Sequence, residues 1–239
     1  MRMDDRRGDF AELQTARALV PSIVAERDVI AANQELPIEL TKSLTGNGLF
    51  RMLLPEFLDG PQLPLTKFIR CVEVIAEADG STGWCVGQGG VFANLADRMP
   101  RETADEIWGA NPGAVVATGT PFGSTARATA NGYELSGRWR FASGCTHASW
   151  FGAMANVVDS EGKVVGFGMF MVSRADINLG GGWNVNGLRG TGSREYTLSG
   201  HQVPAARAML GAVLREHCGV STGLPAQLIF ASGFGSVGL

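Results

Sequence analysis

Cysteine, histidine and charge are all scarce in this 239-residue sequence. Cys71, Cys85, Cys145 and Cys218 stand far apart without a C-x-x-C pair, which speaks against a disulfide framework or a zinc knuckle and for reduced, mostly buried thiols. His147, His201 and His217 miss the i, i+4 spacing of helical metal ligands, and no Cys, Asp or Glu cluster accompanies them. No metal site is expected, and each histidine reads as a surface or hydrogen-bonded residue. Charged residues make up only 18% of the chain at a formal net charge of -3, so there is no concentrated cationic face for nucleic acid. Arg2, Arg6 and Arg7 are interrupted by Asp4 and Asp5 and read as a solvated terminus.

Long apolar runs are missing too. None approaches the roughly 20 residues that span a bilayer, and the opening "MRMDDRRGDF" is too polar for a signal peptide, so a cytoplasmic protein without a membrane span is expected. There is no G-x-G-x-x-G opening a helix and no G-K-[ST], which excludes the nucleotide sites built on those loops. Gly219-Val220-Ser221-Thr222-Gly223 matches G-x-S-x-G in form only, since no strong strand precedes it and no acid and histidine follow in hydrolase order.

What is present is 45% hydrophobic residues, enough for a sizeable core in one large domain or two modest ones. Phe10, Leu13, Ala16, Val20 and Ile23 recur at helical spacing, with Pro21 expected to kink or restart that helix. A second short helix is expected from Pro37 to near Gly46-Asn47-Gly48. Leu65, Phe68, Ile69, Val72, Ile75 and Ala76 mark one face of a third. Ser81 is a candidate cap for an apolar helix reaching about Arg98, and Pro100 suits the first turn of another carrying Ile107 and Trp108.

The texture changes at Asn111-Pro112-Gly113. From there to about Ala208 the chain is rich in Gly, Thr, Ser and Val, with turn signals at Asn131-Gly132, Glu161-Gly162, Gly180-Gly181-Gly182 and Ser199-Gly200 spaced for an antiparallel sheet or barrel. The stretch "NGYELSGRWRFASGCTHASW", Asn131 to Trp150, gathers aromatic rings, two arginines and small hydroxyls where a strand gives way to a glycine, a surface suited to flooring a ligand pocket. The apolar, glycine-dotted ending "FASGFGSVGL" reads as a chain cut short.

Four segments in order, "GLFRMLLPEFLDG", "AEADGSTGWCVG", "NGYELSGRWRFASG" and "GLRGTGSREYTLSGHQVP", resemble the acyl-CoA dehydrogenase superfamily. The resemblance is stronger to its reduced-flavin monooxygenase branch, the oxygenase components of two-component aromatic hydroxylases, and runs from about Phe10 to Met209. It implies an α+β fold: an N-terminal all-helical domain (1–110), a middle antiparallel β-barrel (111–208) and the start of a C-terminal helical bundle (209–239), in a homo-oligomer.

The same resemblance implies a site. It places Ser143, flanked by Phe141 and Ala142, beside the ring of reduced FMN or FAD with its hydroxyl near N5, as the catalytic candidate. Trp139 or Arg140 would wall the pocket, Thr118, Thr120 and Ser124 would run under the flavin, and Arg189 and Ser193 would contact cofactor or a neighbouring subunit. Trp84, Gln88 and Phe92 would face a small-molecule substrate; Phe92 stands where phenol-hydroxylating members carry a histidine, which points away from phenols. A separate flavin reductase would supply the reduced flavin, which with O2 would transfer one oxygen atom to the substrate. Two other readings stay open: an acyl-CoA dehydrogenase-like FAD enzyme, and a non-catalytic fragment of the same fold.

Overall fold

A computed structural model describes residues 8–211. The candidate readings on Arg2, Arg6, Arg7, His217, Cys218, the Gly219 to Gly223 match and most of 209–239 lie outside the described residues. The first half is helical. Helix α1 (Ala11–Asn33) turns Leu13, Ala16, Ile23 and Ile30 inward. Pro21 lies inside it without ending it. The ring and the missing N–H sit on the exposed side, so the cost of about 3 kcal/mol is offset by the buried stripe opposite.

Helix α2 (Ile38–Gly46) starts after Pro37 as expected. Helix α3 (Leu65–Ala78) buries Phe68, Cys71, Val72, Ile75 and Ala78. Helix α4 (Gly80–Ala93) is capped not by Ser81 but by Asp79, whose carboxylate accepts from Thr82 N and Thr82 Oγ1 at 2.7 Å each. Asp79 wins because it is the extended residue just before the first turn, where a side-chain oxygen reaches the orphan N–H groups. Ser81, already inside the helix, accepts instead from Gly190 N at 3.0 Å. Helix α5 (Arg101–Ala104) continues into a π-turn, Asp105–Gly109, that buries Ile107 and Trp108.

Strands follow: β1 (Val116–Thr118), β2 (Thr120–Thr129), β3 (Gly132–Ala142), β4 (Trp150–Val158), β5 (Val164–Ser173), β6 (Asn178–Gly180), β7 (Arg194–Pro204) and β8 (Ala208–Leu210). They form one eight-stranded sheet along the path β6-β7-β3-β2-β4-β5-β8, with β1 on β4. Two expectations change here. The sheet is mostly but not wholly antiparallel, because β1 and β2 both run parallel to β4. Ser199-Gly200 is no turn: it lies within β7, where Gly200 at φ 63 sits in a register shift and its N–H reaches Ser136 Oγ at 2.9 Å. A glycine in left-handed backbone inside a strand makes a bulge and leaves the strand running on.

Among the described residues three apolar clusters make the core. One lies among α1, α2, α3 and α4, and one inside the sheet around Trp139, Phe151, Phe170 and Tyr196. The third joins the two halves, packing Leu54, Phe92, Leu95 and Trp108 against Val116, Trp150, Met169 and Met171. Each large side chain so enclosed contributes about 1.5–3 kcal/mol. Polar contacts pin the same seam: Thr103 Oγ1 donates to Ala206 O at 3.0 Å, and Arg207 pairs with Glu106 while lying over the Trp150 ring. α4 and the rim of the sheet are thereby held face to face.

Candidate functional site

β3 delivers the central residue through a bulge. Between the pairs Trp139↔Tyr196 and Ala142↔Arg194 the strand carries one residue more than its partner, so Arg140 and Phe141 together oppose Glu195. The surplus is absorbed at Phe141, whose φ of 59 lies in the left-handed region that costs a bulky side chain roughly 1–3 kcal/mol. Trp139 and Ala142 face inward on either side, and Phe141 is turned out, 49% exposed. The turn that follows is locked to the loop before β7: Gly144 N donates to Thr191 O at 2.8 Å and Cys145 Sγ to Gly192 O at 3.0 Å.

That lock brings three hydroxyls together. Ser143 Oγ lies 2.8 Å from Ser193 Oγ, and Ser193 Oγ lies 2.6 Å from Thr191 Oγ1. Thr191 Oγ1 donates to Leu188 O at 3.0 Å, and from the helical side Trp84 Nε1 donates to Ser143 Oγ at 2.9 Å. Leu188 O also accepts from Trp183 Nε1 at 3.0 Å. One continuous set of hydrogen bonds thus joins α4, the end of β3 and the loop between β6 and β7. Gly190 makes the approach possible, since a Cβ there would fall 1.9 Å from Ile30 Cγ2.

These groups line a half-open cavity of about 280 Å³. Ligand pockets begin near 300 Å³, so the space suits one flat ring system better than a whole dinucleotide. Its walls are Trp84, Gln88 and Met154, its floor is the Thr118-Gly119-Thr120 link between β1 and β2, and Phe141 meets Trp183 edge-on at the mouth with ring centroids 6.1 Å apart. Gly119 lets the floor close onto β3, because a Cβ there would fall 2.9 Å from Trp139 Cβ. Among the described residues no charged side chain lines this cavity. Aromatic faces with a few aligned hydroxyls suit the neutral ring of a flavin; a phosphate would have to lie beyond this lining.

Burial tunes the neighbouring titratable groups. The Cys145 thiol is pushed up to about 11 chiefly by burial, and burial also raises the Tyr196 phenol well above its ordinary value. Neither ionises near neutral pH, so Cys145 acts as a structural donor and not as a nucleophile. His147 is held down to about 4 by burial; half-buried, it rests against Phe50 at 5.4 Å between ring centroids.

The structure brings together Ser143, Phe141, Thr118, Thr120, Trp84 and Gln88 from the residues expected at the site, with Ser193 among the possible contacts. Six expected residues are elsewhere. Trp139 is fully buried in the sheet core, its Nε1 on Met154 O at 2.7 Å and its ring stacked on Tyr196, because strand alternation turns it inward. Ala142 faces the same core. Ser124 is buried with its hydroxyl on Arg138 O at 2.9 Å, within the register shift in β2. Phe92, one turn beyond Gln88 on α4, packs into the seam between the two halves. Arg189 is exposed, and Arg140 spreads over the Phe122 and Phe141 rings outside the cavity. Trp183, Leu188, Thr191 and Met154 were not anticipated. A lone tryptophan in the glycine-rich "GGGWNVNGLRGTGS" was the one available signal.

No family model matches the chain. Among curated proteins it is 31% identical over 198 residues to the oxygenase subunit HsaA of a flavin-dependent monooxygenase from Rhodococcus jostii (strain RHA1), covering 82% of this chain and 51% of the relative. It is 26% identical over 238 residues to the oxygenase component of p-hydroxyphenylacetate 3-hydroxylase from Acinetobacter baumannii, covering 95% of this chain and 56% of that protein. Among solved structures it superposes on the HsaA monooxygenase from M. tuberculosis with TM-score 0.82 at 27% identity, over 92% of this chain and 57% of that one. It superposes on XiaF from Streptomyces sp., solved with FADH2 and glycerol, with TM-score 0.86 at 25% identity, over 95% of this chain and 59% of that one. The chain spans about half the length of the curated relatives it matches.

Proposed function

The homologues of this chain are oxygenase components of two-component flavin-dependent monooxygenases, and on that kinship we propose that it holds reduced FMN or FAD and oxygenates a small organic substrate with O2. A separate flavin reductase supplies the reduced cofactor. When bound, reduced flavin provides the two electrons by which one atom of O2 enters the substrate and the other leaves as water. The observation that carries the reading is the convergence of Trp84, Ser143 and Thr118 on one uncharged, aromatic-walled cavity.

The residues divide the work. Trp84 and Phe141 would offer aromatic faces to a flat ring, Thr118 and Thr120 would offer hydrogen bonds to its polar edge, and Ser143, already tied to Trp84, would supply a polar contact to the ring. Phe141 and Trp183 restrict water at the mouth and offer an aromatic surface suited to a planar substrate. The helical part (1–110) and the sheet part (111–208) are read as two domains sharing this site, acting in the cytoplasm as a homo-oligomer.

The test is to bind photochemically reduced FMN to the whole chain without oxygen, admit O2 and follow hydrogen peroxide. Ser143→Ala is expected to release peroxide about tenfold faster, the effect of losing one well-placed hydrogen bond. Equal release from both proteins would remove Ser143 from the site.

A further inference from the structure

The hydroxyl row beside Ser143 has a direction. Thr191 Oγ1 is 3.0 Å from Leu188 O, a carbonyl that can only accept, so the threonine proton goes there. Thr191 Oγ1 is then an acceptor toward Ser193, 2.6 Å away, and the Ser193 proton points at it. Ser193 Oγ in turn accepts the Ser143 proton across 2.8 Å. Ser143 Oγ also receives the Trp84 N–H at 2.9 Å, and what it has left to show the cavity is a lone pair.

The reverse order, Thr191 to Ser193 to Ser143, gives up the bond to Leu188 O and leaves the Ser143 proton without an acceptor among the described groups. The first order makes one more hydrogen bond within the protein. Thr191 and Ser193 are both buried, 2% and 5% exposed.

We infer that Thr191 and Ser193 are positioning residues that fix Ser143 as a hydrogen-bond acceptor, and that the site thereby tells reduced from oxidised flavin. The ring nitrogen that gains a hydrogen on reduction is a donor in the reduced form and an acceptor in the oxidised form. An acceptor-only Ser143 rewards the first and faces the second lone pair to lone pair. Trp183 belongs to the same device, since its indole N–H shares Leu188 O with Thr191 at the mouth of the cavity.

The inference rests on the flavin reading, and its test separates the two. The whole chain is titrated without oxygen with reduced FMN and, in parallel, with oxidised FMN, and the ratio of the two Kd values is compared between variants. Thr191→Val keeps the shape but removes the acceptor; the Ser193 proton then turns to Ser143, whose own proton swings into the cavity. The preference for reduced FMN is expected to fall about tenfold, with reduced FMN bound more weakly and oxidised FMN as well or better. Thr191→Ser, which keeps the hydroxyl, restores it. Ser193→Ala breaks the row one step earlier and gives the same shift, so the test survives if Thr191→Val fails to fold. An unchanged ratio, or equal weakening of both forms, overturns the inference while leaving the flavin site standing. A folded wild-type chain that binds neither form overturns both.

Discussion

His147 shows how a single side chain ties this fold to pH. Its ring lies partly buried against Phe50, and its Nδ1 is enclosed without a hydrogen-bond partner. Burial holds its pKa down to about 4, below the roughly 6.5 of an unfolded histidine. The unfolded chain therefore takes up the proton first, so this contribution is whole above about pH 6.5 and drains away as pH falls toward 4. Replacing the ring by phenylalanine removes the proton but keeps the contact with Phe50. Urea midpoints should then fall less between about pH 7 and pH 4.5 in His147→Phe than in wild type, and parallel declines would show that His147 is not the group concerned. At this scale the backbone setting was legible where the residue's own neighbours define it, as with Ser143 before a glycine. His147 was not, because its enclosure comes from Phe50, nearly a hundred positions away in sequence.

At the scale of elements, α4 carries a conflict between local and tertiary demands. Its glycines weaken an isolated helix by about 1 kcal/mol each relative to alanine. They remain because neighbours need the space: a Cβ on Gly83 would fall 2.6 Å from Ala76 Cβ and 2.7 Å from Ala76 Cα on α3, and one on Gly90 would fall 2.5 Å from the Phe68 ring. Backbone cannot yield as a flexible side-chain end can. Gly83→Ala should therefore lower the thermal midpoint, overpacking of about 1–3 kcal/mol outweighing the gain in helix propensity. A raised midpoint would show that α3 and α4 have room to part. Because α4 also carries Trp84, the same close approach sets how far the indole reaches toward Ser143. The positions of α2 and α3 and the two hairpin turns were readable from periodicity and from Asn131-Gly132 and Glu161-Gly162. Ser199-Gly200 was misread, since its bulge lies on an exposed side where the strand runs on.

The whole molecule exposes an apolar strip. Val164, Val165 and Phe167 on β5 and Leu210 on β8 are 55%, 61%, 38% and 38% exposed. Among the described residues β8 pairs with β5 only at Gly168, Met169 and Phe170, so one side of the 164–167 segment carries open backbone groups beside those side chains. Such an edge favours association. Light scattering at working concentration should give a mass above one chain, and Val165→Lys with Phe167→Lys should lower it. A monodisperse wild-type monomer would remove the proposed homo-oligomer.

The amino-acid sequence alone determined the order of helices before strands, the main amphipathic face of α3, the hairpin turns at Asn131-Gly132 and Glu161-Gly162 and the kinship with flavin-dependent oxygenases. Those signals act over a few residues of chain, through 3.6- and 2-residue periods and through backbone angles that glycine alone adopts easily. Only the tertiary structure decided which hydroxyls meet. Trp84 and Ser143 are 59 residues apart, and Ser143 and Ser193 are 50 apart. Their contact depends on the bulge at Phe141, the closeness that Gly190 allows against Ile30, and the apolar seam that sets α4 facing the sheet. No local pattern encodes those three together, because each is a distance between segments and not a property of either one.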